Sequence, residues 1–103
     1  MIQYNVFPGG KTRVVTFSYD DGDPRDGRLV ELFDLYGVKG TFHLNSARFK
    51  NMDSYSLEDV RERYRGHEIS CHTKDHIWTD TTPLPSVAVQ TIDNRRDLEQ
   101  IAG

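Results

Sequence analysis

The sequence predicts an α/β fold in which three parallel strands alternate with helices in the order β-α-β-α-β-α. Short β-rich runs recur along the chain, apolar residues at helical spacing lie between them, and glycine, proline or capping residues separate the two patterns. Strands that alternate with helices are typical of parallel sheets with right-handed crossover connections. The length of 103 residues indicates one domain that covers residues 1–103.

The first strand and helix are predicted on either side of a pair of adjacent aspartates. Residues 13–19 are β-rich and predict a strand that ends directly before Asp20 and Asp21. Asp23, followed by proline, predicts a helix N-cap with proline at the first helical position. Gly37 suits the C-terminal cap of this helix, whose apolar residues recur at helical spacing as Leu29, Leu32, Phe33 and Tyr36.

Two further strands and two further helices complete the predicted order. Residues 40–45 and 68–71 predict the second and third strands. Between them, a capping-box pattern at Ser56 and Asp59 predicts a short helix that runs to about residue 64. The last helix is predicted over residues 86–101, and the apolar residues expected to face inward are Val89, Ile92, Leu98 and Ile101.

The composition excludes several classes of protein. The chain has 13 Lys and Arg against 16 Asp and Glu, and it lacks a Lys/Arg-rich run, so no nucleic-acid partner is expected. No apolar run is long enough to span a membrane, and no signal peptide is visible, so the chain as given is expected to be cytoplasmic. Removal of a leader would instead fit an extracellular or periplasmic protein. Cys71 is the single cysteine and is expected to be a small packed residue at a strand end.

Polar residues follow the predicted strands and are expected to meet at one edge of the sheet. In parallel α/β folds the carboxyl ends of the strands share an edge, which brings together Asp20, Asp21, Asn45 and His72. His76 lies four residues after His72, and two imidazoles with one carboxylate suit zinc or a similar first-row ion. The second aspartate could take a proton from water. The alternatives are a solvated turn at the aspartates and a histidine pair that binds no metal.

Other aromatic and histidine residues have two interpretations each. His43 and His67 could add metal ligands, but His43 lies inside the second strand and is expected to be packed or to support the ligands. His67 lies at the turn of Gly66 and is expected to be exposed. Tyr19 and Trp78 could stack on a sugar face, whereas aromatic residues near a loop more often serve packing.

Two segments give the chain a resemblance to a known family. Residues 16–22 (TFSYDDG) resemble the first motif of the polysaccharide deacetylases, the NodB-homology enzymes of carbohydrate esterase family four. Residues 72–76 (HTKDH) resemble the second motif, which is a His, a Ser or Thr, two variable residues and a His. Residues 39–45 are similar to the second strand of these proteins. The chain is thus identified as a partial NodB-homology domain over residues 1–103.

The resemblance implies a fold, a reaction and a role for each site residue. The fold would be the N-terminal part of a distorted (β/α) barrel. The protein would be a metal-dependent hydrolase that removes acetyl groups from N- or O-acetylated carbohydrate, which would be its partner. Asp20 would be the catalytic base, and one divalent ion, zinc or otherwise cobalt, nickel or iron, would be held by Asp21, His72 and His76. The residues implied to contact substrate or to support the ligands are Tyr19, Asn45 and Thr73.

The sequence departs from the family after the second motif. No segment matches the later Arg-x-Pro-Tyr-like, Asp-Trp or Leu-x-His motifs, so the domain is expected to be truncated before them. A catalytically incomplete metal-binding remnant or interaction module therefore stays open as an alternative. So does a hydrolase of non-sugar amides on the same fold. Three parallel strands would leave open sheet edges, which favours a homo-oligomer or further chain.

Overall fold

The protein contains a three-stranded parallel sheet, which confirms the predicted α/β class. The computed structural model describes residues 6–50 and 57–102, without the side chains of residues 50 and 57. The strands are β1 (Ser18–Asp21), β2 (Thr41–Leu44) and β3 (Glu68–Cys71), and they lie in the order β1-β2-β3. Within the described residues, the helices are α1 (Asp26–Leu35), α2 (Ser46–Lys50), α3 (Leu57–Arg63) and α4 (Leu84–Ala102).

The first strand lies further along the chain than predicted. The expected strand over residues 13–19 is wrong, because β1 covers Ser18–Asp21 and therefore contains both aspartates. Its ladder with β2 begins where Thr41 N donates to Phe17 O at 2.9 Å. Within the described part of the chain, residues 13–17 belong to no strand, and only Phe17 O bonds to β2, because β propensity without a partner does not make a strand.

The remaining boundaries follow the predictions with small shifts. The second strand ends one residue before Asn45, and the third strand is confirmed over Glu68–Cys71. The predicted N-cap at Asp23, with proline at the first helical position, is wrong, because α1 begins at Asp26 and its N-cap is Arg25. Asp23 instead forms a turn ahead of the helix, where its carboxylate accepts from Arg25 N at 2.9 Å. Gly37 follows this helix with φ 66°, as expected of a C-terminal cap. The predicted cap at Ser56 lies outside the described residues, and the short helix α2 was not predicted.

Helices cover one face of the sheet and leave the other face open. Successive strand residues point to opposite faces, so Phe42 and Leu44 of β2 are fully buried against the helices, while Thr41 and His43 are half-buried. The helix-covered core also contains Val30, Phe33, Phe49, Val60, Tyr64, Leu98 and Ile101. On the open face, Ser18 Oγ and His43 Nε2 are hydrogen-bonded at 2.7 Å. The core is therefore one-sided, and a polar sheet face remains beside the ends of the strands.

The inward face of α4 differs from the prediction at its N-terminal half. Leu98 and Ile101 are buried as expected, but Val89 and Ile92 are more than half exposed, so that part of the prediction is wrong. The buried stripe instead passes through Asn94. Its amide donates to Leu44 O and accepts from Ser46 N, both at 2.9 Å. A polar residue occupies the stripe because it pairs the backbone groups at the end of β2.

His67 is not exposed, contrary to the expectation. Its side chain is 0% exposed, and its ring packs against Phe33 and Phe42 at centroid distances of 5.9 and 5.6 Å. Its Nδ1 accepts from Gly40 N at 3.2 Å. The turn at Gly66, with φ 81°, places this ring in the core, where it satisfies a backbone donor. No helix in the described ranges is long and apolar enough to cross a membrane.

Candidate metal centre

The ends of β1 and β3 bring one carboxylate and two imidazoles together. Asp21 is the last residue of β1, and His72 follows β3 directly. Asp21 Oδ1 lies 3.4 Å from His72 Nε2 and 3.1 Å from His76 Nε2. The three candidate ligand atoms lie within 4.8 Å of one another. The structure thus brings together the three residues that the sequence predicted as metal ligands.

The backbone at this centre is held in an uncommon conformation. Asp21, Thr73 and His76 have φ values of 77°, 61° and 56°, in the left-handed region that residues with a side chain rarely adopt. Within the described residues, these are the non-glycine positions with positive φ. Such strain concentrates at sites where side chains must point in a required direction. Here it turns the side chains of Asp21 and His76 towards one point.

The loop that carries His76 is fixed from three sides. Thr73 Oγ1 accepts from Ile77 N at 3.3 Å and closes the loop across His76. Asn45 donates its amide to the carbonyl oxygens of His72 and of Thr73, the latter at 2.8 Å. On the other side, Gln90 Oε1 accepts from Asp75 N at 2.9 Å, and Gln90 Nε2 donates to Asp75 Oδ2 at 2.6 Å. The end of β2 and helix α4 therefore position the histidines jointly.

One oxygen of Asp21 has the surroundings expected of a metal ligand. Asp21 Oδ1 is inaccessible to solvent and, within the described part of the chain, accepts no hydrogen bond. Arg48 Nη1 donates to Asp21 O at 3.2 Å and lies 3.6 Å from Oδ2, so the two carboxylate oxygens have different neighbours. His72 Nε2 and His76 Nε2 lie 3.4 and 3.1 Å from this oxygen, so either a proton on an imidazole or a shared cation would satisfy it. Two imidazole nitrogens and this oxygen fit a divalent first-row ion.

The remaining residues that the sequence predicted for the site surround the group of Asp21, His72 and His76 in different ways. Asp20 is exposed and lies beside Asp21 at the end of β1. Asn45 and Thr73 support the histidine loop, as described above. The Tyr19 ring packs against Phe33 and Phe42 at centroid distances of 6.0 Å, and Tyr19 lines a cavity together with Asp20 and Asp21. His43 lies behind His72 on the open face, with 6.4 Å between the ring centroids.

Three supporting residues were not found from the sequence. Arg48 lies on α2, the helix that was not predicted. Gln90 and Asn94 lie on α4, where a polar residue within an apolar stripe was the available signal for Asn94. Arg48 contacts Asp21 directly, Gln90 is hydrogen-bonded to Asp75 of the histidine loop, and Asn94 is hydrogen-bonded to Leu44 O and Ser46 N at the end of β2.

Carboxyl groups near the start of α1 have shifted pKa values. The hydrogen bond from Arg25 holds the pKa of Asp23 well below its usual range. Burial raises the pKa of Asp26, which accepts a hydrogen bond from Tyr64 Oη at 2.7 Å. Burial, followed by this bond to Asp26, raises the pKa of Tyr64. Asp26 is therefore a buried core residue, and we assign it no part in the chemistry of the candidate centre.

Comparison with known proteins assigns the chain to a family. The sequence profile of the polysaccharide deacetylases matches residues 8–103. The chain belongs to the polysaccharide deacetylase family. This assignment confirms the resemblance carried by residues 16–22 and 72–76, and the centre lies on those two motifs. No solved structure gives a significant match to the chain.

Curated relatives of this polysaccharide deacetylase chain are much longer than it is. A protein of Arthroderma benhamiae named probable peptidoglycan-N-acetylglucosamine deacetylase is 38% identical over 69 residues, which are 65% of this chain and 16% of that protein. A chitin deacetylase of the same organism is 34% identical over 77 residues, 73% of this chain and 20% of the relative. A chitin deacetylase of Pestalotiopsis sp is 29% identical over 87 residues, 84% of this chain and 29% of the relative. The chain spans less than a third of each of these relatives.

Proposed function

We propose that this protein takes part in the metal-dependent removal of acetyl groups from N- or O-acetylated carbohydrate. The observation that carries the proposal is the convergence of Asp21, His72 and His76 on one point, with Asp21 Oδ1 buried and lacking a donor among the described residues. Family membership supports the reaction class. The relatives named chitin deacetylase and peptidoglycan-N-acetylglucosamine deacetylase support an acetylated sugar as substrate.

The three ligand atoms would be Asp21 Oδ1, His72 Nε2 and His76 Nε2. Zinc is the first candidate for the ion, and cobalt, nickel and iron also accept such ligands. A divalent ion held there supplies a Lewis acid for a carbonyl oxygen and for water. Arg48 occupies the side of Oδ2, which leaves Oδ1 as the oxygen directed at the histidines.

Asp20 is proposed as the base that takes a proton from water. It is exposed and adjacent to Asp21, so one carboxylate can hold the ion while its neighbour remains available. Water adds to the acetyl carbon, and its proton passes to the Asp20 carboxylate. The bond between the acetyl carbon and the sugar nitrogen or oxygen then breaks. The proton returns to that leaving atom, and acetate and a free amine or hydroxyl are the products.

The open face of the sheet supports a larger assembly of strands. We propose that β1 to β3 form part of a distorted (β/α) barrel, with helices outside and the polar face of Ser18 and His43 towards the barrel axis. Alternatively, a second copy of the chain covers this face and the sheet edges. A molar mass of one chain by light scattering at micromolar concentration would count against self-association.

The test combines metal binding with acetate release. Purified protein should contain one divalent ion per chain by elemental analysis, and zinc should raise its Tm. Asp21→Asn and His76→Ala should lose both effects, whereas Glu31→Gln, an exposed carboxylate on α1, should keep them. Acetate release is then measured with acetylated chito-oligosaccharides and 4-nitrophenyl acetate, for this chain and for a longer version of the protein. A protein that binds no ion refutes the centre, and one that binds zinc without releasing acetate in either version refutes the deacetylase assignment.

A further inference from the structure

Trp78 is an exposed aromatic residue next to the candidate metal centre. It lies two residues after His76, and its side chain is 76% exposed. A tryptophan buries a large apolar area when it packs in a core, so most of that stabilisation is absent here. This degree of exposure rules out core packing, one of the two interpretations left open by the sequence. Leu84 and Tyr36 are exposed to a similar degree, at 79% and 75%, so it is the place of Trp78 beside the histidines, and not its exposure alone, that indicates a contact for a ligand.

The backbone around Trp78 is fixed although its ring is exposed. The carbonyl oxygen of Trp78 accepts from Thr81 N at 3.3 Å and from Thr82 N at 3.1 Å, which forms a turn. On the other side, Ile77 N donates to Thr73 Oγ1 within the histidine loop. The ring is therefore presented from an ordered segment that is continuous with His76. A binding residue held in this way loses little conformational entropy when a ligand docks.

Trp78 and the two metal-site histidines line the same cavity. Its volume is about 570 Å³, within the range of about 300 to 1,000 Å³ that is common for small-molecule sites. Besides the indole, the wall offers hydroxyl and carboxylate groups from Thr73, Thr79, Asp80 and Thr91. One apolar plane with several hydrogen-bonding groups matches a sugar ring, which has an apolar C–H face and a rim of hydroxyls. It matches a wholly apolar ligand or a small flat amide less well.

We propose that Trp78 is the platform of a sugar-binding subsite, on which a pyranose ring of an acetylated oligosaccharide stacks beside the metal centre. The location of the reaction at that centre rests on the proposed function, but the binding of the sugar to the subsite does not. The subsite makes an oligosaccharide a better substrate than a small acetyl ester. Trp78 acts on the sugar ring and leaves the chemistry of the acetyl group to the centre.

The single tryptophan of the chain allows a direct binding measurement. Metal-free protein is titrated with acetylated chito-oligosaccharides while indole emission is recorded, since every change in emission comes from Trp78. A saturable change is expected with the oligosaccharide and none with ethyl acetate, a small acetyl ester that does not absorb at the wavelengths used. Calorimetry extends the measurement to variants, and Trp78→Ala should weaken oligosaccharide binding roughly tenfold, which corresponds to about 1.4 kcal/mol. Trp78→Phe should restore part of the loss.

Tyr36→Ala provides a matched control, because Tyr36 is 75% exposed at the end of α1 and does not line the cavity. It should bind oligosaccharide like the wild type. In a version that releases acetate, Trp78→Ala should raise KM for the oligosaccharide roughly tenfold and leave kcat within about twofold, with no change for 4-nitrophenyl acetate. Wild-type emission that does not respond to oligosaccharide overturns the subsite, as does a Trp78→Ala variant that binds like the wild type. Sugar binding without acetate release would refute the deacetylase function and leave the subsite in place.

Discussion

Gly22 connects β1 to the turn before α1, and its replacement by alanine tests how closely the centre is packed. Gly22 has φ 71°, and a Cβ atom there would lie 2.5 Å from Phe49 Cζ and 3.2 Å from Leu44 Cδ2. A left-handed conformation with a side chain costs about 1 to 2 kcal/mol. An added methyl group in a packed core costs about 1 to 3 kcal/mol more. We therefore expect Gly22→Ala to lower the free energy of unfolding by about 2 to 5 kcal/mol.

Two other glycines separate the backbone contribution from the steric one. Gly37 also has positive φ, at 66°, but nothing lies within 4 Å of a Cβ placed there. Gly37→Ala should therefore show only the backbone cost of about 1 to 2 kcal/mol. Gly27 lies in α1, and its added Cβ would meet Arg63 Nε at an ordinary 3.8 Å. Gly27→Ala should stabilise the protein by up to about 1 kcal/mol, because alanine favours the helix.

Urea unfolding, followed by far-ultraviolet circular dichroism with a chelator present, measures these differences without a contribution from metal. The expected order of stability is Gly27→Ala, wild type, Gly37→Ala and Gly22→Ala. The steric reasoning is wrong if Gly22→Ala and Gly37→Ala lower the free energy of unfolding by the same amount within about 0.5 kcal/mol. That result would mean that the Phe49 ring moves aside at no cost. Gly22→Ala should also weaken zinc binding, because Asp21 directly precedes Gly22. Gly37→Ala should leave zinc binding unchanged, because Gly37 is remote from Asp21.

Three further predictions concern the support of the centre and the core beneath it. Asn94→Ala should lower the free energy of unfolding in urea by about 1 to 3 kcal/mol, because Ser46 N loses its acceptor while Leu44 O keeps His72 N as a donor. Arg48→Ala should weaken zinc binding roughly tenfold, measured in competition with a chelator, and Arg48→Lys should recover part of the lost affinity. If the wild type and Arg48→Ala bind zinc equally well, Arg48 has no role in orienting the Asp21 carboxylate. Asp26 titrates above its ordinary pKa of 3.8 because burial raises the pKa of its carboxyl in the folded protein. The folded state then binds the proton more tightly than the unfolded chain, so stability falls as pH rises from about 3.8 through the raised value. Asp26→Asn has no carboxyl group to titrate at this position, so its free energy of unfolding in urea should rise relative to that of the wild type between about pH 4 and pH 7. A difference between the two free energies that does not change with pH would contradict this.

Local patterns in the sequence predicted the order of the elements and the three candidate ligands. Parallel strands share an edge whatever their lengths, so residues at the ends of β1 and β3 meet even though both the start and the end of β1 were misplaced. The start was wrong because β propensity in residues 13–17 does not reveal whether a neighbouring strand exists. The burial of Asn94 and of His67 depends on backbone groups that are distant in sequence, Leu44 O and Gly40 N.

The support of the site was harder to predict than the ligands. Arg48 acts through a salt bridge and a backbone hydrogen bond that exist only after α2 has formed beside β1. Gln90 lies inside the predicted helix, but its hydrogen bonds to Asp75 exist only after that helix has packed beside the histidine loop. The candidate ligands were easier to predict, because few residue types bind metal ions and the resemblance to the family distinguished Asp21 from Asp20, whereas many residue types can support such ligands.

The left-handed backbone of Asp21 and His76 has a consequence for how these two positions tolerate substitution. Each such conformation costs on the order of 1 to 3 kcal/mol, and glycine would relieve it. Replacing either residue by glycine should therefore make the metal-free chain harder to unfold while removing a ligand. Selection for a stable fold and selection for the centre act in opposite directions at these residues. Variants chosen for thermal robustness alone would tend to lose the centre first, and screens for robust versions of this protein need to select for bound metal at the same time.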